Sequence, residues 1–334
     1  MKKFLVIQTA FIGDVILATS VVEKLHQFYP DAEIDFVLRK GNEALLAHHP
    51  FIKTVFVWDK KKNKTKNLFS LLKSIKANKY DYAVSIHRFA SSGLLVALSG
   101  ATERVGFDKN PVSFLFTKKI KHVIGDLPAR QAGGRHEVER NQLLIESITD
   151  ASFAKPKLYP TKENFERVST YKSSGYYCLA PTSVWFTKQF PKEKWIELIN
   201  ALPYKMIYLL GAPSDYDFCD ELISKVNSEK KEHCVNLAGK LNFLESAALM
   251  QDAEMNYVND SAPMHIASAM NAPVTAIYCS TVPAFGFGPL SDNSRIVEIK
   301  EQLECRPCGL HGHKECPKGH FKCGFNIEIK QLTN

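Results

Sequence analysis

Three polar residues, Asn259, Asp260 and Ser261, separate a short apolar strand from an apolar helix. Asp260 or Ser261 can cap that helix, and Pro263 fits its first turn, where a missing N–H costs little. The unpaired N–H groups and the positive end of the helix dipole favour an anion, and phosphate is the expected guest. Two simpler interpretations stay open: Asp260 could act only as a cap, and His265 could be a buried core histidine.

Polar residues also follow the first predicted strand of each half of the chain. Asp14 comes after the first strand, and Thr182, Ser183 and Lys188 lie in the segment that leaves a strand at 176–180. On pattern alone, Asp14 caps the next helix and Lys188 is a surface lysine. Because the carboxyl ends of parallel strands share one sheet edge, we expect Thr182, Ser183 and Lys188 to face the same edge as Ser261.

The elements that would hold these residues alternate between strand and helix. Strands are predicted at 4–7, 34–38, 55–57, 82–86, 176–180, 206–210, 235, 255–258 and 274–279, and helices at 14–28, 42–49, 67–76, 91–98, 138–148, 192–202, 215–226 and 244–251. The stretch 104–121 could be a strand and loop or an irregular insertion. A polar segment with Pro156 and Pro160 divides the alternation. The pattern predicts two α/β domains with parallel sheets, at 1–160 and 171–334.

Composition restricts the class of protein. The chain has 334 residues, 45% of them hydrophobic and 23% charged, which is typical of a globular protein of about two domains. Its net charge of +8 is carried by residues 1–150, with 23 Lys/Arg against 15 Asp/Glu, because the remainder holds 20 of each. A basic half can attract an anionic membrane surface or a phosphorylated acceptor, although a solvated surface is the simpler explanation for the lysine-rich run at 60–66.

Several classes are disfavoured. No stretch is long and apolar enough to span a membrane, and the N-terminal segment is better explained as strand, turn and helix than as a signal peptide, so a cytoplasmic location is expected. Neither domain has GxGxxG after its first strand, which argues against an NAD oxidoreductase. The sequence contains no zinc-finger, RNP or helix-turn-helix signature, so nucleic acid is not expected as a partner.

The motifs resemble glycosyltransferase family 9, the bacterial heptosyltransferases of the lipopolysaccharide inner core. The resemblance lies in Gly13-Asp14, in the segment 180–191, and in the run 259–267 with Ser280-Thr281 and Gly288-Pro289. It implies a GT-B arrangement, in which two Rossmann-like domains face a central cleft. It also implies that an N-terminal domain binds the acceptor and a C-terminal domain binds the nucleotide sugar.

The resemblance assigns roles to these residues. Asp14 would be the catalytic base that takes the proton of the acceptor hydroxyl, although a helix N-terminus favours the charged carboxylate and would weaken the base. The expected donor-binding residues hold the diphosphate as it gains charge; they are Thr182, Ser183, Lys188, Asp260, Ser261 and His265. A DxD match, Asp215-Tyr216-Asp217, falls where a helix should begin, so we expect transfer without a metal ion.

Four residues of the basic half are candidate acceptor contacts. Arg88 and Arg104 lie near strand ends, while Arg135 and His136 belong to a run at 133–141 that also resembles the family. Their side chains could meet acceptor phosphates or carboxylates. Helix capping and pairing along the helix explain the run at 133–141 nearly as well.

The C-terminal tail concentrates cysteine and histidine. Cys305, Cys308, Cys316 and Cys323 fall within twenty residues, and such a set could bind a structural zinc ion. The first pair has the C-x2-C spacing, but the second pair does not, which weakens the prediction. A reducing cytoplasm makes disulfides less favourable.

We therefore expect an inverting, metal-independent glycosyltransferase that moves heptose, or a related sugar, from an ADP-activated donor to a phosphorylated or acidic lipid-linked inner-core acceptor. The expected location is peripheral, at the inner face of the inner membrane. A nucleotide-sugar epimerase of the same fold and a nonenzymatic two-domain sugar-binding protein are the alternatives.

Overall fold

The computed structural model describes residues 1–124, 135–172 and 175–333, so Gly133 and Gly134 of the run at 133–141 lie outside the described residues. The chain divides into two compact units, one mainly of 1–126 and 134–159 and the other mainly of 160–334. Each unit is built on one six-stranded parallel sheet. Among the described residues, no helix is long and apolar enough to cross a membrane.

The N-terminal unit has the strand order β3-β2-β1-β4-β5-β6. Its strands are β1 Lys3–Ile7, β2 Glu33–Arg39, β3 Thr54–Trp58, β4 Tyr82–Ser85, β5 Glu103–Phe107 and β6 Lys118–Ile120. Its helices are α1 Ile12–Phe28, α2 Lys64–Ala77, α3 Ala90–Ala97 and α4 Glu137–Leu143. This is the doubly wound Rossmann order, and its connections reverse direction between β1 and β4.

The C-terminal unit has the order β12-β11-β10-β7-β8-β9. Its strands are β7 Tyr176–Ala180, β8 Met206–Leu209, β9 Cys234–Asn236, β10 Met255–Asn259, β11 Val274–Tyr278 and β12 Ser294–Glu298. Its helices are α5 Lys162–Val168, α6 Lys192–Ala201, α7 Tyr216–Lys225, α8 Ser228–Lys231, α9 Phe243–Gln251, α10 Ala262–Ala269, α11 Lys322–Phe325 and α12 Lys330–Thr333. The order repeats that of the first unit, and its connections reverse between β7 and β10.

The central strands of both sheets are buried on both faces, as expected where helices cover a parallel sheet. In β1, residues 4–7 are all buried, and in β7 and β11 every residue is buried. Burial of these β-branched and aromatic side chains fixes the position of each strand end. The loops at the carboxyl edges are thereby held on rigid supports.

The structure corrects one predicted helix, settles the stretch 104–121 and adds an edge strand. The helix expected at 42–49 is only a short 3₁₀ turn, Glu43–Leu45. The uncertain stretch 104–121 contains most of β5 and all of β6, which are paired in parallel. The edge strand β12 was not predicted, because Arg295 and its neighbours are exposed and lack an apolar run.

Candidate functional site

The predicted donor-binding residues lie where the C-terminal sheet reverses. Ala180 of β7 is in register with Val258 of β10, so the loops that follow these strands start side by side. One loop carries Thr182, Ser183 and Lys188, and the other carries Asp260 and Ser261. Open α/β sheets bind ligands in the crevice at such a point.

Asn259 fastens these two loops to each other. Its side chain is buried, accepts a hydrogen bond from the Phe190 N–H at 2.9 Å, and donates to the carbonyl oxygens of Ala180 and Thr182 at 3.4 Å. Asn259 had no predicted role, and its signal in the sequence is an amide side chain at the end of an otherwise apolar strand.

Asp260 and Lys188 form a buried ion pair. The Lys188 Nζ atom lies 2.7 Å from Asp260 Oδ2, and the Thr281 hydroxyl donates to the same oxygen at 2.6 Å. The Lys188 side chain is 16% exposed and that of Asp260 is 7% exposed, so water screens the pair weakly. Asp260 therefore fixes the ammonium group in place.

The hydroxyl groups of Thr182 and Ser183 have no hydrogen-bond partner within the described parts of the chain, although both residues are partly buried. Their carbonyl oxygens are engaged, by Asn259 and by Gln189 respectively. The two hydroxyls are thus available as donors in the loop that also carries Lys188. Together they offer one fixed cation and two neutral donors to a phosphate group.

The start of α10 supplies fewer N–H groups than the sequence suggested. Ser261 occupies the N-cap position without a side-chain capping bond, Pro263 has no N–H, and the Met264 N–H bonds the Ser261 carbonyl oxygen. Two backbone N–H groups, of Ser261 and Ala262, are left for an anion. His265 is buried within α10, with its ring centroid 6.4 Å from that of Phe287.

Asp14 lies in the corresponding place of the N-terminal unit, in the first turn of the helix that follows β1. Its Oδ2 accepts a hydrogen bond from the Phe11 N–H at 3.1 Å. Burial, followed by the nearby Glu137 carboxylate, raises the pKa of Asp14 from 3.8 to about 6, against the opposing effects of the Phe11 N–H and Arg39. The helix N-terminus was expected to lower the pKa of Asp14 and so to weaken it as a base. Burial raises the pKa by more than the helix N-terminus lowers it.

Glu137 is itself held by Arg140. The Nε and Nη2 atoms of Arg140 lie 2.9 and 2.7 Å from Glu137 Oε2, and both side chains are buried. Glu137 and Arg140 both belong to α4, which packs against α1. The α4 helix therefore carries the like charge that faces Asp14.

A cationic cluster surrounds the carboxyl ends of β1, β3 and β4. The Lys60 Nζ atom donates to the Thr9 carbonyl and hydroxyl oxygens at 2.8 and 3.0 Å, and Thr9 Oγ1 lies 3.3 Å from His87 Nδ1. Burial and then Arg39 lower the pKa of Lys60 to about 8. Burial, Lys60 and Arg88 lower the pKa of His87 to about 4, so its imidazole is neutral at pH 7.

Sequence reasoning identified only Arg88 of this cluster. Arg88 also lies near His122, whose pKa burial and Arg88 lower to about 4. The guanidinium group of Arg88 has no hydrogen bond or ion pair within the described ranges. Lys60 was not singled out from the lysine run, because sequence alone does not reveal which lysine turns toward the sheet.

The other three predicted acceptor contacts lie apart from this cluster or have local partners. Arg104 lies toward the amino end of β5, and its Nη1 donates to the Ala101 carbonyl oxygen at 2.8 Å. His136 caps α4, with Nδ1 accepting from the Val138 N–H at 3.1 Å. Arg135 lines a separate cavity of about 180 Å³ together with Lys24 and Phe153.

The four tail cysteines are free thiols. Cys305 Sγ lies 3.8 Å from His320 Nε2, and burial, then Cys308, raises the pKa of Cys323 to about 12. Within the described residues, no three His, Cys, Asp or Glu side chains are arranged to hold a metal ion. A zinc ion at these cysteines stays a prediction from their spacing.

Comparison with known proteins identifies the family. Residues 68–319 match the model of "Glycosyltransferase family 9 (heptosyltransferase)". The chain is 28% identical over 295 residues to lipopolysaccharide heptosyltransferase 3 of Escherichia coli K12, covering 84% of this chain and 83% of the relative.

Solved structures show the same fold. The structure of E. coli ADP-heptose lps heptosyltransferase II superposes with a TM-score of 0.78 at 22% identity, over 99% of this chain and 96% of the other. E. coli heptosyltransferase WaaC with ADP-2-deoxy-2-fluoro heptose gives 0.68 at 18% identity, over 92% and 96%. The two Rossmann-like units therefore constitute a GT-B fold. The chain is a glycosyltransferase and belongs to glycosyltransferase family 9.

Proposed function

We propose that this enzyme transfers a heptose from ADP-heptose to a lipopolysaccharide inner-core acceptor, with inversion at C1 and without a metal ion. The observation that carries the proposal is the Lys188–Asp260 pair at the sheet reversal, on loops that also carry the Thr182 and Ser183 hydroxyls. The names of the relatives, which are lipopolysaccharide heptosyltransferases, support the sugar and the pathway. The structure of WaaC with an ADP-heptose analogue supports the donor.

The C-terminal unit would bind the donor diphosphate. Lys188 provides the positive charge, and the two hydroxyls and the N–H groups of Ser261 and Ala262 provide neutral donors. These groups stabilise the charge that develops on the diphosphate as its bond to C1 breaks. Asp260 acts by holding Lys188, since a second negative charge in contact with a phosphate would be repelled.

Asp14 would act as the base. Its carboxylate takes the proton of the acceptor hydroxyl while that oxygen forms a bond to C1 of the sugar. The bond between C1 and the diphosphate breaks, and ADP leaves with the electron pair. A carboxyl pKa of about 6 suits this step, because the group is ionised at pH 7 and is still more basic than an ordinary aspartate.

The acceptor is expected to present a phosphate or carboxylate to the cationic cluster of the N-terminal unit. Lys60 and Arg88 supply charge there, and the neutral ring of His87 can donate or accept a hydrogen bond. The pKa of Lys60 is lowered first by burial and then by the positive charge of Arg39. An anionic group bound there would favour the charged form of Lys60 and so oppose both effects.

The α2 helix is the proposed contact with an anionic membrane surface at the inner face of the inner membrane. Phe69 is 64% exposed between Lys66 and Lys73, and the helix contains no acidic residue. Neither of these lysines forms an ion pair with a described residue. Exposed lysines attract anionic lipid, by about 1 kcal/mol each near the surface, and an exposed phenylalanine can enter the headgroup region.

Transfer is tested with purified enzyme, ADP-heptose and a core acceptor from a strain that lacks this gene. Mass spectrometry should show the addition of one heptose, and NMR should show inverted anomeric configuration. Lys188→Met should lower the rate of heptose transfer, while its circular dichroism spectrum should match that of the wild type. EDTA should leave the rate of transfer unchanged. An unaltered core in the deletion strain, or transfer that requires added divalent metal, would contradict the proposal.

Membrane contact is tested separately by sedimentation with vesicles. The wild-type enzyme should sediment with phosphatidylglycerol vesicles and not with phosphatidylcholine vesicles. The double variant Lys66→Glu/Lys73→Glu should remain in solution, whereas the matched reversal Lys314→Glu/Lys318→Glu in the exposed tail should behave as wild type. Equal loss in both double variants would refute a specific role for α2.

A further inference from the structure

The C-terminal tail contains a segment, Arg306 to His313, that packs against the donor-site loops; we name it the strap. At its first end, the Arg306 guanidinium group donates to the carbonyl oxygens of Cys279 at 2.7 Å and Thr281 at 2.8 Å. It also pairs with Glu298 of β12 at 2.7 Å. One largely buried arginine thus fixes the chain that follows β11.

At its other end, the strap bonds the residue that precedes Lys188. The His313 N–H donates to Thr187 Oγ1 at 2.8 Å, and the Thr187 N–H donates to the His313 carbonyl oxygen at 3.1 Å. The Ser280 hydroxyl donates to the same Thr187 oxygen at 3.0 Å. Thr187 is buried, and its bond with the Ser280 hydroxyl is shielded from water.

Gly312 allows this close approach. Its φ is +76°, and a Cβ atom there would lie 2.9 Å from Thr187 Oγ1 and 3.0 Å from Lys188 Cγ. Both the backbone conformation and the lack of space exclude a side chain. The strap therefore lies directly against the stem of Lys188.

The two ends act on the same ion pair. Arg306 holds the backbone of Thr281, whose hydroxyl donates to Asp260, and His313 holds Thr187, which adjoins Lys188. Both members of the Lys188–Asp260 pair thus depend on loops that the strap fixes. We propose that the strap is a positioning element of the donor site, which sets the affinity for a nucleoside diphosphate by holding Lys188 in place.

This inference rests on the proposed donor site, and ADP is the probe that tests it. Thr187→Val removes the hydroxyl at nearly constant volume and leaves the His313 N–H and the Ser280 hydroxyl without their acceptor. Because a buried unsatisfied donor is costly, we expect ADP affinity measured by calorimetry to fall about tenfold. Thr187→Ser keeps the oxygen and should recover most of the affinity.

The matched control is Thr275→Val. Thr275 is also a buried threonine of the C-terminal unit, and it lies near the start of β11, away from the strap. Its hydroxyl contacts the sulfur of Met255 in β10. This variant should lose stability without losing ADP affinity. The acceptor KM of Thr187→Val should be unchanged while the donor KM rises.

Two outcomes separate the strap from the proposed function. If the wild-type enzyme does not bind ADP, the donor site itself is wrong. If it binds ADP and Thr187→Val binds equally well, or loses no more affinity than Thr275→Val, the strap has no positioning role. Should Thr187→Val fail to fold, Arg306→Met is the second test; it removes the Nε and Nη2 donors that bond the Cys279 and Thr281 carbonyl oxygens, and an unchanged ADP affinity would overturn the proposal.

Discussion

Replacing Asp14 with asparagine should stabilise the enzyme at neutral pH while it abolishes most of the activity. The pKa of Asp14 is raised from 3.8 to about 6 in the folded protein, so the native state holds this proton more tightly than the unfolded chain. The stability associated with it is fully present below pH 3.8 and is lost as the pH rises through 6. At about 1.4 kcal/mol per pH unit, ionisation of Asp14 costs the fold up to about 3 kcal/mol at pH 7.

Asparagine has no proton to lose and can still accept the Phe11 N–H through its side-chain oxygen. The difference in unfolding free energy between Asp14→Asn and wild type should therefore grow by up to about 3 kcal/mol between pH 3.8 and pH 7. Urea unfolding at a series of pH values measures this difference. If the variant and the wild type show the same pH dependence, the carboxyl group is not buried as described.

The same variant tests the chemical role. Loss of a placed general base typically lowers the rate 10²- to 10⁴-fold, so kcat should fall by that order while ADP affinity stays near wild type. In the wild-type enzyme, kcat/KM should decline about tenfold per pH unit below pH 6, because the protonated carboxyl cannot accept a proton. A stable variant with full activity would leave Asp14 as a helix cap only.

Three further predictions follow from individual contacts. Glu137→Gln removes the like charge that faces Asp14, so the acidic limb of the pH–rate profile should move to lower pH; an unmoved limb would mean that burial alone sets the pKa. Lys188→Met leaves Asp260 buried without its partner and should reduce both stability and ADP affinity, whereas Lys188→Met/Asp260→Asn should recover stability in thermal unfolding but not ADP binding. Lys24→Met should destabilise the fold by about 2 to 4 kcal/mol with an unchanged donor KM, because the buried Lys24 ammonium bonds the carbonyl oxygens of Asp150 and Ser152; a change in donor KM would refute a purely structural role for Lys24.

The strand-and-helix alternation predicted the placement of the site because position along a parallel sheet follows from chain order. Asp14 comes after a strand and before a helix in the sequence, and the structure places it at the carboxyl edge for that reason. Arg104 shows the limit of such reasoning. It lies near a strand end, but that end is the amino end of β5, and local sequence does not reveal where the strand begins.

The sequence did not reveal which of the candidate groups are buried. The competition between the helix N-terminus and desolvation at Asp14 depends on what α4 packs against it, and α4 is more than a hundred residues away in the chain. The same holds for Lys60, which has the same residue type as its neighbours in the run but contacts Thr9 and the Trp58 ring. Residue type and spacing identify candidate groups, whereas their ionisation depends on long-range packing.

The cysteines of the tail drew attention to a metal ion, yet the best-supported contacts of the tail come from the residues between them. Arg306, Gly312 and His313 belong to no recognised motif, and their partners include backbone groups, the Glu298 carboxylate and the Thr187 hydroxyl. The α10 N-terminus leaves only two N–H groups for an anion, so the donor site depends on the charge of Lys188. A single flexible lysine can serve that purpose only if its position is fixed, and the carboxylate of Asp260 and the strap supply the two constraints.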